Sequence, residues 1–154
     1  MFNVVLVEPE IPPNTGNIGR LCLATGARLH LIKPLGFSID DRTLRRAGLD
    51  YWQHVQVSVW ENWEDFCLRG KPADGRCFYL TTKTDRIYHE AEFRSGDFLV
   101  FGRETRGLPE SLLAAHEGNL LTIPMQPAAR SLNLATAVAI VLFEAVRQVR
   151  TTAG

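Results

Sequence analysis

The sequence predicts an α/β fold in which a parallel sheet is flanked by helices. Three observations predict it. Short apolar runs rich in Val, Leu and Phe alternate along the chain with helical patterns, as in a parallel sheet with crossover helices. Those runs are almost continuously apolar, which strands covered on both faces require. Hydrophobic residues make up 45% of the 154 positions and charged residues 22%, enough apolar material for a packed core and too much for a disordered chain. One domain over residues 1–154 is the expectation.

Strands are expected at Asn3–Val7, Arg28–Ile32, Val55–Val59, Cys77–Leu80, Phe98–Phe101 and Leu120–Ile123. Helices are expected at Asn17–Thr25, Asp41–Ala47, Glu61–Arg69, Pro109–Ala115 and Leu132–Arg150. Gly26 and Gly48 suit C-terminal caps, and Pro109 suits a first helical turn. A ligand site belongs beyond the C-terminal ends of such strands. The last helix is apolar almost all round from Leu132 to Val146, interrupted mainly by Thr136 and Glu144. A surface helix needs one apolar stripe, so this one needs cover on two sides. The sheet supplies one cover. The other is either the rest of the monomer core or a second subunit, and the helix's place at the end of the chain favours the subunit.

Composition narrows the function. The 17 basic and 17 acidic residues cancel, so RNA binding, if present, must come from local patches rather than overall charge. Cys22, Cys67 and Cys77 are odd in number and widely spaced, and His30, His54, His89 and His116 form no ligand pair. No metal site or disulfide framework is expected, and reduced thiols fit a cytoplasmic protein. The opening MFNVVLVEPE has no signal-peptide pattern. The longest apolar run, Ala137 to Phe143, is too short to span a membrane.

Three loops carry the candidate chemistry. The first, PPNTGNIGR from Pro12 to Arg20, follows the first strand. Its prolines stiffen the approach, Gly16 and Gly19 permit tight turns or close backbone approach, and Asn14 or Asn17 can cap the following helix. Asn14 stands where a dinucleotide-binding G-x-G-x-x-G would need its first glycine, which argues against a Rossmann reading. The second loop, FGRETRGLPE from Phe101 to Glu110, concentrates glycines, arginines and Glu104 between a buried strand and a helix. Glu104 can pair with an arginine or accept from a substrate hydroxyl. The third, IPMQPAARSLNLATAVAI from Ile123 to Ile140, runs strand, loop, helix. Ser131 or Asn133 can cap that helix or point into a pocket.

In this order and spacing the loops resemble the three motifs of the SPOUT superfamily, in its SpoU/TrmH branch of RNA ribose 2′-O-methyltransferases. The likeness runs from Val4 to about Val149. VEPEIPPNTGNIGRLC and KPLGFSIDDRTLRRAGLDYW (Lys33 to Trp52) look like the TrmL (YibK) group, which methylates the wobble nucleotide of certain tRNAs. The resemblance implies an α/β knot with a deep C-terminal trefoil, although knots are very rare, and a homodimer joined through the knotted region. It implies S-adenosyl-L-methionine as cofactor and the tRNA anticodon loop as partner. The group's members are minimal catalytic domains, and this chain leaves no room for a separate RNA-binding domain. Other readings are a ribose methyltransferase for another tRNA or rRNA site, and a non-catalytic RNA-binding member of the fold.

By motif match, cofactor contacts fall on Leu80, Thr81, Gly102, Ile123, Met125, Ser131 and Leu132. Catalytic or RNA-facing positions fall on Asn14, Arg20, Glu104, Ser131 and Asn133. Arg103 departs from the proline that many relatives carry after the glycine. The family's proposals make Arg20 a general base, but a guanidinium is too strongly basic to give up its proton readily. Holding the ribose or its phosphate and stabilising the developing alkoxide is the other role open to it, with Glu104 as its orienting partner. For RNA, Arg42, Arg45 and Arg46 offer phosphate contacts and Tyr51 and Trp52 offer stacking.

Overall fold

A computed structural model describes residues 1–40, 42–47 and 49–153, with the side chains of residues 43, 45, 47, 49, 50 and 151–153 left out of the description. The expected helix start at Asp41, the expected cap at Gly48 and the side chain of Arg45 lie outside the described residues. The sheet has six strands: β1 (Asn3–Val7), β2 (Arg28–Ile32), β3 (Val57–Trp60), β4 (Cys77–Leu80), β5 (Phe98–Phe101) and β6 (Leu120–Leu121), in the order β3-β2-β1-β5-β4-β6. Every pairing among them is parallel. The helices are α1 (Pro12–Thr25), α2 (Arg42–Ala47), α3 (Trp63–Asp65), α4 (Glu110–Ala115) and α5 (Leu134–Ala153).

Period-two alternation divides the strand side chains between two cores. Val4 and Leu6 of β1, Leu29 and Leu31 of β2, Phe78 and Leu80 of β4, and Leu99 and Phe101 of β5 face one side. There they meet Ile18 and Cys22 of α1 and Leu134, Val138, Val141, Leu142 and Ala145 of α5. Val5, Val7, Tyr79, Phe98 and Val100 face the other side, against Phe66 and Leu113. Full burial of each such side chain contributes about 1.5–3 kcal/mol, and cover on both faces is why the strands read as continuously apolar.

β1, β2, β4 and β5 fall where the sequence places them. β3 starts later than expected, at Val57, because Val55 directly follows the 3₁₀ segment Leu49–His54 and turns its N–H back to the Trp52 carbonyl. β6 stops at Leu121; Thr122 continues only as an isolated bridge to Ile87. The expected helix at Glu61–Arg69 is α3 widening into a π-type turn over Phe66–Gly70, with Asn62 capping the Asp65 N–H at 2.7 Å. Pro109 takes the N-cap of α4 rather than its first turn, with extended backbone at φ −57, ψ 140. α5 begins at Leu134 and runs to Ala153. Gly26 closes α1 in the left-handed conformation, φ 74, as expected.

The largest departure is α1. It begins at Pro12, not Asn17, so most of the first motif is helix rather than loop. Pro12 and Pro13 occupy the first helical positions, where a missing N–H costs nothing and φ is already helical. Neither Asn14 nor Asn17 caps; Ile11 is the N-cap residue and lends no side-chain bond. The cap comes from elsewhere in the chain, as the site geometry explains.

Candidate active site

β1 leads outward to β2 and β3 on one side, and β5 leads to β4 and β6 on the other. In open parallel sheets such a reversal, at the carboxyl ends of the strands, leaves a crevice for ligands. A pocket of about 270 Å³ lies beyond the ends of β4, β5 and β6. Leu80, Thr81, Gly102, Ile123, Met125, Ser131 and Leu132 all line it, together with Glu104 and Thr105. The positions expected to hold cofactor are therefore gathered in one cavity. Its walls combine apolar side chains with hydroxyls and exposed backbone, the mixture small-molecule sites use.

The second loop owes its shape to two glycines. A Cβ on Gly102 would stand 2.0 Å from the Gly107 carbonyl carbon and 2.2 Å from the Leu108 nitrogen, so only glycine fits. Gly107 turns back at φ 68, and its N–H donates to the Arg103 carbonyl at 2.9 Å. In the third loop, Arg130 immediately before Ser131 holds φ 60, ψ −57. Such backbone costs a non-glycine residue about 1–3 kcal/mol and is concentrated at functional loops.

Glu104 supplies the missing cap of α1. Its carboxylate accepts from the N–H of Glu10 at 2.8 Å and of Ile11 at 2.9 Å, and from Asn14 Nδ2 at 3.3 Å. A carboxylate at a helix N-terminus satisfies orphan donors and meets the positive end of the dipole. Asn14 Oδ1 in turn accepts from Asn133 Nδ2 at 3.1 Å, and Asn133 Oδ1 accepts from the Thr136 N–H at 3.3 Å, capping α5. Glu104, Asn14 and Asn133 are thus one hydrogen-bonded chain joining all three motifs. Asn14 is only 8% exposed, so its polar groups serve this chain. Of the two candidate caps for α5, Asn133 fills the role and Ser131 stays at the pocket wall.

Two further ties run beside it. Arg103 pairs with Glu8, which has left-handed backbone at φ 55 just after β1. Glu10 accepts from both the hydroxyl of Thr105, at 2.8 Å, and its N–H, at 3.0 Å. These bonds hold the Glu10 carboxyl below its ordinary range. Sequence reasoning passed over Glu8, Glu10 and Thr105. The signal was there: two carboxylates before α1 and two arginines in the second motif are complementary in charge. Their separation along the chain hid the pairing.

Arg20 does not line the pocket and does not reach Glu104. It lies exposed beyond the midpoint of α1, its guanidinium 5.4 Å from the ring centroid of Tyr51. The expectation that Glu104 orients Arg20 therefore fails, because all of that carboxylate's bonds are spent on the start of α1. Arg42 and Arg46 are exposed on α2, which packs on α1. Tyr51 is 44% exposed. Trp52 is half-buried, its ring seated on Gly19, so it packs inward instead of offering a stacking face. Among the described residues, no three His, Cys, Asp or Glu side chains are grouped to hold a metal ion, and no helix is long and apolar enough to cross a membrane.

The sequence model of the SpoU rRNA methylase family matches residues 1–143. The chain belongs to this family. Among its relatives in the SpoU family is the tRNA (cytidine(34)-2′-O)-methyltransferase of Burkholderia cenocepacia strain HI2424, 54% identical over 149 residues that cover 96% of each chain. A solved structure described as giving insight into the 2-OH methylation of C/U34 on tRNA superposes with a TM-score of 0.92 at 45% identity, covering 100% of this chain and 98% of the other. An AdoMet-bound rRNA methyltransferase from Sinorhizobium meliloti superposes at 0.84 with 31% identity, covering 95% of this chain and 56% of that one. As a SpoU-family fold, the parallel sheet and its three site loops match the architecture that the motifs imply.

Proposed function

We propose that this chain is an S-adenosylmethionine-dependent tRNA ribose 2′-O-methyltransferase acting on the wobble nucleotide, cytidine or modified uridine at position 34 of the anticodon loop. One observation carries the reading: the loops after β4, β5 and β6 form a single pocket lined by every position that the family motifs assign to cofactor. Similarity to the tRNA (cytidine(34)-2′-O)-methyltransferases over nearly the full chain supports the target.

The pocket suits this cofactor. Leu80, Ile123, Met125 and Leu132 offer apolar cover for a purine, while Thr81, Ser131 and the backbone near Gly102 offer bonds to ribose and amino-acid groups. Bound there, S-adenosylmethionine supplies an electrophilic sulfonium methyl. The protein's tasks are to align the 2′-oxygen and ease loss of its proton. Alignment alone can account for roughly 7–11 kcal/mol of a barrier. The Glu104–Asn14–Asn133 chain keeps the three loops in register for that alignment. Arg20 binds the ribose or its phosphate and stabilises negative charge on the oxygen.

The protein works as a cytoplasmic homodimer, paired through the outer face of α5. That helix buries Val138, Val141, Leu142 and Ala145 completely, yet leaves Phe143 47% exposed. With the half-buried Ala139 and Ile140 beside it in sequence, Phe143 offers an apolar stretch that a second subunit would cover. The C-terminal trefoil goes with the same reading, since membership of the SpoU family supports it. Arg42 and Arg46 give the anticodon loop a basic surface on α2, which packs on the helix that carries Arg20.

The test is transfer of labelled methyl from S-adenosylmethionine to tRNA from cells lacking wobble ribose methylation. Label in tRNA is expected from the wild type and not from Arg20→Ala. Tight cofactor binding with no transfer to any tRNA would overturn the reading.

A further inference from the structure

Glu104 and Ser131 line the pocket, and Asn14 and Asn133 are hydrogen-bonded to Glu104 directly or in series; Arg20 is the candidate catalytic residue that joins neither the pocket nor that chain, and its surroundings show what holds it. Among the described residues no carboxylate faces it; its partner is the ring of Tyr51, 5.4 Å from the guanidinium carbon. That separation lies within the ~6 Å reach of a cation–π contact. A long, exposed side chain would otherwise sample many rotamers.

Tyr51 is itself fixed. Trp52, the next residue, presses its ring onto Gly19, the residue before Arg20: a Cβ at Gly19 would lie 2.6 Å from Trp52 Cζ3 and 2.9 Å from Cε3. Val55 closes the same spot, with Cγ2 at 3.7 Å. Trp52 and Val55 both pack against the main core. Two adjacent residues of the 3₁₀ segment thus meet two adjacent residues of α1, Trp52 on Gly19 and Tyr51 on Arg20. This explains a glycine inside a helix, where it costs about 1 kcal/mol relative to alanine. It also changes the part expected of Tyr51, since the guanidinium already occupies one face of the ring that would stack on a base.

We propose that Tyr51 is a positioning residue that aims the Arg20 guanidinium at the methyl-accepting ribose, with the Leu49–His54 segment as its fixture. The inference rests on the reaction proposed above. It is tested by kcat and KM for tRNA in Tyr51→Phe, Tyr51→Ala, Arg20→Ala and the double variant Arg20→Ala/Tyr51→Ala, with folding checked by circular dichroism. Tyr51→Ala is expected to lower kcat roughly tenfold or more with KM little changed, and Tyr51→Phe to restore most of the rate. In the Arg20→Ala background Tyr51→Ala is expected to cost nothing further. Unchanged kcat in Tyr51→Ala, a loss confined to KM, or an equal loss in the Arg20→Ala background would overturn the proposal. Should Tyr51→Ala fail to fold, Tyr51→Leu fills the space without a π face and carries the same expectations. If the wild type transfers no methyl group, the reaction reading fails, and the positioning is read by NMR. Upfield ring-current shifts of the Arg20 side-chain protons, present in wild type and Tyr51→Phe and lost in Tyr51→Ala, support it; their absence from the wild type overturns it.

Discussion

Glu104 shows how one side chain can be catalytic in its consequences while bonding only to protein. Its carboxylate satisfies two orphan N–H groups and one amide of the α1 entrance. Charge-assisted bonds of this kind are worth about 1.5–3 kcal/mol each at most. Glu104→Gln keeps the shape but replaces one acceptor oxygen with a donor facing other donors. It is expected to lower stability by about 1–3 kcal/mol in urea denaturation and to reduce kcat as the loops lose register. A stable Glu104→Gln with full activity would contradict the role. His30 makes a second prediction at this scale. Trp60 Nε1 can only donate, and it does so to His30 Nδ1 at 3.1 Å, so the ring's proton sits on Nε2 facing Asn3 Oδ1 at 2.9 Å. Burial, helped by the charge of Arg28, lowers the His30 pKa to about 4. The unfolded chain, with an ordinary pKa near 6.5, binds that proton first as pH falls. Stability is therefore complete above about pH 6.5 and declines toward pH 4, by about 3 kcal/mol from this group. His30→Gln is expected to flatten that part of the curve in denaturation measured across the window.

At the scale of elements, what the sequence reveals and what it hides divide along a physical line. Strand positions are legible because β1, β2, β4 and β5 are buried on both faces, and the apolar runs NVVLV, RLHLI, CFYL and FLVF say so directly. The start of α1 is not legible. It opens on two prolines, asparagine, threonine and glycine, a run poor in helix formers, and the carboxylate that caps it lies far away in the chain. The same distance hides the Glu8–Arg103 and Glu10–Thr105 ties. The pocket positions, by contrast, are legible from motif order, and the structure brings all of them to one cavity. Arg20 is legible as a residue but not in its partner, since no spacing rule links it to Tyr51. The second motif gives the sharpest element-scale test. Gly102→Ala would place a methyl group inside the Gly107–Leu108 backbone. It is expected to open the loop and abolish S-adenosylmethionine binding in calorimetry; wild-type affinity would show that the turn can yield.

At the scale of the molecule, charge and shape must together bring one ribose to one methyl group. The chain is neutral overall, so RNA affinity has to come from local patches, and the proposed one is the cluster on α1 and α2. Removing Arg42 and Arg46 together is expected to weaken tRNA binding and to reduce the slope of log K against log salt by about one for each phosphate no longer neutralised. An unchanged slope would place the RNA elsewhere. The dimer is tested separately: Phe143→Glu on the outer face of α5 is expected to yield monomers in light scattering, and an unaltered mass would move the interface to another surface. The central claim, that this pocket and this basic surface methylate a wobble ribose, is tested most directly by mapping the product nucleoside. After transfer of labelled methyl to tRNA lacking wobble ribose methylation, the account predicts label as 2′-O-methyl on the first anticodon nucleotide; label on a base, or on a ribose elsewhere in the tRNA, would contradict it.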